Sequence, residues 1–285
     1  GLIMGNLLSG LSDLGLGDLE GAKLYEDPNK NQDSNKGKKA AAIEEKDLIY
    51  DRNYDCPVCG EKITAKTMKA GKARLIRTDD DLRSVFEGID AYKYDVICCP
   101  KCGYSALIRF FKPMPEGQVR LIREKICQHI KLKPHTGDTY TYEEAMEHYK
   151  VALACTIVKQ ARNSEKAYTC LKAAWVLRGW GETLEGESGT EEKRAELKAQ
   201  EKEYLKNAME GFIAAEAAES FPICGMDDTT LEYLIANLAF ELGKYDIASK
   251  LISEILIRPY ANSRMKDKTR ELKDAILAEL RKNKA

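Results

Sequence analysis

Two short cysteine turns of one form constrain this chain more than any other feature: Cys56-Pro57-Val58-Cys59-Gly60 and Cys99-Pro100-Lys101-Cys102-Gly103. Two thiolates separated by two residues can reach one ion from a single tight turn. Two such turns supply four sulfurs, the soft tetrahedral set that suits zinc or iron. Pro57 and Pro100 stiffen the first turn position, while Gly60 and Gly103 let the backbone fold back so that amides approach the sulfurs. Four sulfurs leave no coordination position open. The sequence therefore predicts one structural Zn2+ per chain, held by Cys56, Cys59, Cys99 and Cys102. A four-thiolate iron site and two separate redox CxxC pairs are the alternatives. The redox pairs would need a low-pKa thiol at a helix N-terminus, and no βαβ pattern precedes either turn. Neighbours in an extended approach point apart, so Cys98 is expected to face the interior beside Cys99; its use as a substitute ligand or reactive thiol stays open.

The remaining cysteines bear on compartment. Nine cysteines, an odd number, with paired CxxC spacing argue against a secreted disulfide scaffold and for a reducing cytoplasm. No run approaches the 18 apolar residues of a membrane-crossing helix. The 45 basic side chains balance 46 acidic ones, so the overall charge demands neither nucleic acid nor an anionic membrane.

Three zones follow along the 285 residues. Residues 1–47 read as a flexible N-terminal segment: Leu7–Leu19 is punctuated by glycine, and Asp27–Lys39 has almost nothing to bury. Met4-Gly5 with Ser9 formally matches a myristoylation signal, but the match is short. Residues 48–115 read as a zinc-ribbon-like module. Strands are expected at Ile63–Ala65, Lys72–Arg77 and Tyr92–Ile97, a strand or helix start at Gly103–Phe111, and one helical turn at Leu82–Phe86. Residues 116–285 carry apolar residues at three- and four-residue spacing, which predicts seven amphipathic helices. Ser188-Gly189-Thr190-Glu191 and Thr229-Thr230-Leu231-Glu232 read as capping boxes. The stretch Ile235-Ala236, Ala239, Gly243-Lys244-Tyr245, Ala248, Ile252, Ile255 and Pro259 has the spacing of a tetratricopeptide repeat. The expected fold class is mainly α: a small zinc-ribbon-like N-terminal module plus a tetratricopeptide-like helical array.

Other chemistry is thin. There is no HExxH, GxxxxGK, GxGxxG or GxSxG. Cys127, His129 and His135 match no catalytic zinc spacing and are expected to line a helix connection. Glu144 and His148 sit one turn apart and read as a surface pair. Trp175, Arg178 and Trp180 are expected to close a helix before a glycine-rich turn at Gly179–Gly189 and to pack there. With Tyr149, Tyr168 and Tyr204 they offer, alternatively, one wall of a peptide groove. Lys62, Lys66, Lys69, Lys72, Arg74 and Arg77 lie near Tyr92, Tyr94, Tyr104, Phe110 and Phe111, a pattern that can hold nucleic acid. Asp79, Asp80, Asp81, Asp90 and Asp95 weaken it.

Two longer stretches carry a resemblance. Tyr54-Asp55 leads into the first turn, and Tyr92-Lys93-Tyr94-Asp95-Val96-Ile97-Cys98 leads into the second, which Tyr104 follows. With the long insert and the helical tail, roughly residues 48–260 resemble a bacterial family of uncharacterised proteins, domain of unknown function 2225. The resemblance implies the architecture and supplies no catalytic residue. The leading expectation is a cytoplasmic, non-enzymatic, zinc-containing adaptor or scaffold that binds a protein or peptide partner through its helices. A nucleic-acid-associated regulator using the basic insert is one alternative. An enzyme with a cleft near His129 and His135 is another.

Overall fold

The computed structural model describes Asp13 and residues 42–285. The expectations for residues 1–41, including the leucine-bearing and polar stretches, lie outside the described residues, Asp13 apart. Each cysteine turn tips an antiparallel hairpin. Strand β1 (Ile49–Asp55) pairs with β2 (Lys62–Met68), with Asp55 opposite Lys62 beside the first turn. Strand β2 alternates as a half-buried strand should, burying Ile63, Ala65 and Thr67. Between the two turns, β3 (Leu75–Thr78) pairs with β4 (Ser84–Phe86). Strand β5 (Val96–Cys98) pairs with β6 (Ser105–Leu107), placing Cys98 opposite Ser105 beside the second turn.

Two local expectations fail here for backbone reasons. Leu82–Phe86 is not a helical turn: Leu82 takes a left-handed φ of 73°, and amide bonds from Asp79 to Arg83 O and from Leu82 to Asp79 O reverse the chain into β4. Tyr92–Ile97 is not all strand either. The Asp90 carboxylate accepts from the Tyr92 amide at 3.1 Å and caps a 3-10 turn at Ala91–Tyr94, so the strand begins only at Val96.

Seven α-helices follow among the described residues, the number that the apolar spacing predicts. They are α1 (Glu116–Ile122), α2 (Tyr142–Val158), α3 (Asn163–Thr183), α4 (Glu191–Ala218), α5 (Asp228–Glu241), α6 (Tyr245–Leu256) and α7 (Ser263–Lys284). Helix α1 runs on into a π turn at Arg123–Cys127. The chain is thus mainly helical, with a small β element ahead of a helical array.

The helix starts differ from the expected capping boxes. At α4 the Thr190 hydroxyl turns back to donate to Leu184 O and Glu187 O, and it caps nothing ahead. At α5 the cap is Asp227, which accepts from the Thr230 amide at 2.8 Å, so Thr229 lies inside the helix. A full capping box forms instead at α2, between Thr141 and Glu144. Helix α3 also runs past its expected end, through Gly179 and Gly181. A Cβ on Gly179 would stand 2.1 Å from Asp90 Oδ2, so the glycine lets the β element press a carboxylate against the helix. Gly211 plays the same part for α4, where a Cβ would meet that of Ala167 on α3 at 2.9 Å.

The largest core joins α3 to α7 around Leu171, Phe212, Leu231, Leu234 and Ile252. A second core lies beneath the cysteine turns: Val58, Ile63, Ile97, Tyr104, Val119 and Ile122. A third joins Val96 and Leu107 of the β5–β6 hairpin to Met146, Tyr149 and Leu177 of α2 and α3. Each fully buried large side chain contributes roughly 1.5–3 kcal/mol. Hairpins and helices therefore share apolar walls, and Ile43–Ala285 forms one compact unit. No helix among the described residues is long and apolar enough to cross a membrane.

Candidate metal centre

The two turns repeat one hydrogen-bond plan. In the first, the Cys56 amide donates to Glu61 O and the Gly60 amide to Cys56 O, both at 2.9 Å; in the second, Cys99 donates to Tyr104 O and Gly103 to Cys99 O at the same distance. Gly60 and Gly103 supply the positive φ, 74° and 84°, that this closure needs. The turns face each other. Cys56 Sγ lies 3.6 Å from Cys102 Sγ, Cys59 Sγ lies 3.8 Å from Cys99 Sγ, and all four sulfurs fall within 4.8 Å of one another. A tetrahedron with 2.3 Å metal–sulfur bonds has edges of about 3.8 Å. The four predicted ligands thus have the spacing to hold such an ion. Among the described residues no other set of His, Cys, Asp or Glu side chains gathers ligand atoms this way.

Without a cation, crowding drives the thiols of Cys56, Cys99 and Cys102 apart in pKa. Cys99, which accepts from Cys102 and Cys56, falls to about 2. Cys102 is driven well above the ordinary thiol range by its hydrogen bonds to Cys56 and Cys99 and by burial. Cys56 has a favourable hydrogen bond to Cys102, yet its contact with Cys99 and its burial push it up to about 12. A bound dication would remove this conflict by ionising the set together.

Cys98 stands outside the four, as alternation along the strand requires. Burial raises its thiol pKa, against a hydrogen bond to Ser105. No local sequence pattern marks what covers the site. Helix α1 and its π turn lie over the turns: Arg123 Nη2 donates to Val58 O at 2.7 Å, and Ile126 and Cys127 pack on the same core. Gly103 makes room for this cover, because a Cβ there would stand 2.7 Å from Ile130 Cγ2.

The histidines do not converge. His129 is exposed. His135 Nδ1 pairs with Glu144 and its ring packs edge-on against Tyr140. That takes Glu144 away from His148, whose half-buried ring meets the other side of Tyr140 and leaves Nδ1 buried without a hydrogen-bond partner. The expected surface pair of Glu144 with His148 is therefore not made. Burial lowers the pKa of His148.

A charged hub that sequence reading missed ties the insert to the helices. Asp81 is 0% exposed and receives Arg178 in bidentate fashion at 2.7 and 2.9 Å, and Trp175 Nε1 at 3.0 Å. Arg178 also reaches Glu201 at 2.6 Å and Asp79 at 3.2 Å. Nearby, Arg83 donates to Glu182 at 2.8 Å and Tyr233 OH to Asp80 O at 2.8 Å. Trp175 is thus a buried anchor, and with Tyr168 it also lines a cavity of about 330 Å3. Tyr149 is likewise fully buried and donates to Tyr92 O at 2.7 Å. The basic insert is largely spoken for: Lys66 pairs with Asp51, Arg74 with Glu87 and Arg77 with Asp79 and Glu182, while Lys69 donates to Asp47 O.

A concave groove of about 640 Å3 does exist between α3, α4 and α5. Its floor is Leu177, Leu197, Leu205 and Leu242; Arg194, Lys198 and Lys202 form one ridge of α4 along it, and Glu182, Glu185, Glu201 and Glu241 line it as well.

Paired hairpins that present four clustered cysteines, set against a helical array, define a mainly helical protein with a single four-cysteine metal-competent centre. The chain belongs to the family described as uncharacterized protein conserved in bacteria (DUF2225), whose profile matches residues 49–276. No curated protein and no solved structure matches the chain.

Proposed function

We propose that this chain is a non-enzymatic cytoplasmic adaptor whose four-cysteine centre holds one structural Zn2+ and whose helical array binds a peptide segment of a partner protein. The observation that carries the reading is the set of four clustered sulfurs, covered by α1 and its π turn, with no histidine or carboxylate gathered into it among the described residues. Such an ion organises a fold and has no position left for substrate. The α5–α6 pair supports a repeat-type array: small Ala236 and Ala239 are buried and Gly243 turns the chain at φ 74°. The leucine floor and the basic ridge of α4 suit an apolar anchor flanked by acidic residues. The pairing of the insert's cations argues against the nucleic-acid alternative, and the separation of His129 from His135 argues against the enzyme.

The test has two parts on one sample. Elemental analysis and native mass spectrometry are expected to find one zinc per chain. Fluorescence anisotropy with peptides carrying a leucine anchor between glutamates is expected to give saturable binding, weakened about tenfold or more by Lys198→Glu with Lys202→Glu at unchanged zinc content. Iron with visible absorption, or no metal, rejects the zinc half. Absence of saturable binding by any peptide, or binding indifferent to the two substitutions, rejects the adaptor half.

A further inference from the structure

The strongest unassigned feature is a cavity of about 510 Å3 where three separate segments meet: the exit from the β5–β6 hairpin, the α2–α3 turn and the α4–α5 loop. Each segment brings charge. Arg109 and Lys112 come from the first, Lys159 and Arg162 from the second, and Glu219 from the third, with Glu165 from the start of α3. Four basic side chains thus face two carboxylates, and both carboxylates are already engaged. Glu165 pairs with Lys159 at 2.7 Å. Glu219 accepts from the amide and hydroxyl of Ser164 at 3.1 and 2.5 Å, and so occupies the N-terminus of α3 itself.

Lys159 is the floor of the site. Its side chain is only 5% exposed; it lies in an ion pair with Glu165, whose Oε2 has no hydrogen-bond partner, and it donates to Tyr104 OH at 2.7 Å. An ammonium has three donors, so one remains for a ligand. At the rim, Arg109, Lys112 and Arg162 make no ion pair or side-chain hydrogen bond with the described residues. The α4–α5 loop passes close to the Arg109 guanidinium: a Cβ on Gly225 would stand 2.9 Å from its Nη2. Phe110, Pro222 and Ile223 add apolar wall.

We propose that this cavity binds a small organic phosphomonoester. The excess of two positive charges matches a phosphate dianion better than a single carboxylate. Two guanidiniums from different segments can each engage a pair of phosphate oxygens on different faces of the tetrahedron. The volume exceeds what bare phosphate needs and lies in the range of small-molecule sites, and the apolar wall suits the organic part. The site is linked to the second cysteine turn through Lys159 and Tyr104. Tyr104 follows the second cysteine turn directly, accepts the Cys99 amide through its carbonyl, and meets Lys159 through its hydroxyl. The bound ester is therefore placed to brace that turn. This inference stands independently of the peptide groove, which lies between other elements.

Isothermal titration of the metal-loaded full chain at low ionic strength, where charge is least screened, is the test. Inorganic phosphate and glycerol 3-phosphate are the probes, with succinate as the competing dianion. One-to-one saturable binding is expected, tighter for the ester than for phosphate and weakest for succinate. Arg109→Gln and Arg162→Gln are each expected to weaken it about tenfold or more, as loss of a charge-assisted hydrogen bond does. Both side chains are exposed, so metal content and melting temperature should hold. The exposed control Lys125→Gln should leave binding unchanged. No saturable binding of either phosphate probe overturns the proposal, as does equal weakening by Lys125→Gln. Succinate binding as tightly as the ester overturns the phosphate class.

Discussion

At the scale of single residues, Asp81 carries more than its place in a run of three aspartates suggests. It is fully buried, and it accepts two bonds from Arg178 and one from Trp175. Removing one partner of a buried charge pair leaves the other uncompensated, which costs about 3–5 kcal/mol. Glu201 and Asp79 would still hold Arg178, so Asp81→Ala should cost about 3 kcal/mol, the lower end of that range. A urea titration reads this as a lower midpoint at unchanged slope; a shift too small to resolve would remove Asp81 from the hub. Glu241 stands beside the same hub with its side chain 35% exposed and 3.8 Å from Arg178; partial desolvation together with the Asp81 charge outweighs Arg178 and pushes its carboxyl from 4.5 up to about 7. The folded chain then keeps a proton that the unfolded chain has released. Its contribution to stability is whole below pH 4.5 and is lost as pH rises through about 7. Glu241→Gln should therefore match the parent below pH 4.5 and melt higher than it above pH 7. A smaller slope over the same window should persist in that variant, because burial and Glu232 raise Glu216 to about 7 as well. Melting temperature against pH checks both; equal curves for parent and variant would refute the assignment.

Among the elements, helix ends divide what sequence makes legible from what it does not. The end of α5 follows its sequence: the Gly243 amide donates to Phe240 O and the Lys244 amide to Ala239 O, closing a Schellman motif with glycine at the left-handed position. Helix α2 ends the same way without the glycine. Gln160 holds φ 53°, its amide donates to Ile157 O, and Ala161 donates to Thr156 O. A side chain there is strained, so Gln160→Gly should stabilise the chain by about 0.5–1 kcal/mol, seen as a raised melting temperature. Thr141→Ala, which breaks the only complete α-helical capping box among the described residues, should cost about 1 kcal/mol. A melting temperature unchanged in either variant would count against its cap. Local signals of this kind were readable: the gathering of the four cysteines from CxxC spacing, the seven helices from apolar periodicity. The caps of α4 and α5 differ from the boxes that the sequence suggests: no side chain caps α4, which still begins at Glu191 as its pattern implies, and at α5 Asp227 takes the place expected of Thr229. The Arg178–Asp81 hub was invisible for a different reason. Its partners lie 97 residues apart, and nothing in either neighbourhood marks one for the other. The cover over the cysteine turns likewise depends on how α1 returns across them, which no local pattern encodes.

For the whole molecule, the question is whether the metal centre stabilises only its two hairpins or the entire compact unit. The first turn is tied to the π turn after α1 through Arg123, and the second to the end of α2 through Tyr104 and Lys159. The insert between the turns is tied to α3 through Asp81, Arg83 and Asp95, the last pairing with Lys172, and to α5 through Asp80. Hairpins that collapse would therefore strip partners from Arg178, Lys172 and Lys159, all largely buried cations, and the cost would fall on the helices. Structural zinc contributes apparent free energies of about 10–16 kcal/mol in small zinc modules, comparable with the roughly 5–15 kcal/mol that holds a whole domain folded. Chelation, or Cys56→Ser, should accordingly lower the melting of the helical signal in far-ultraviolet circular dichroism as well as releasing the ion. Hairpin and helix probes should lose structure in one transition. If the helices instead melt at the parent temperature in the chelated or Cys56→Ser protein, an ion held by the four cysteines would serve the hairpins alone, and the charged ties between hairpins and helices do not couple the two.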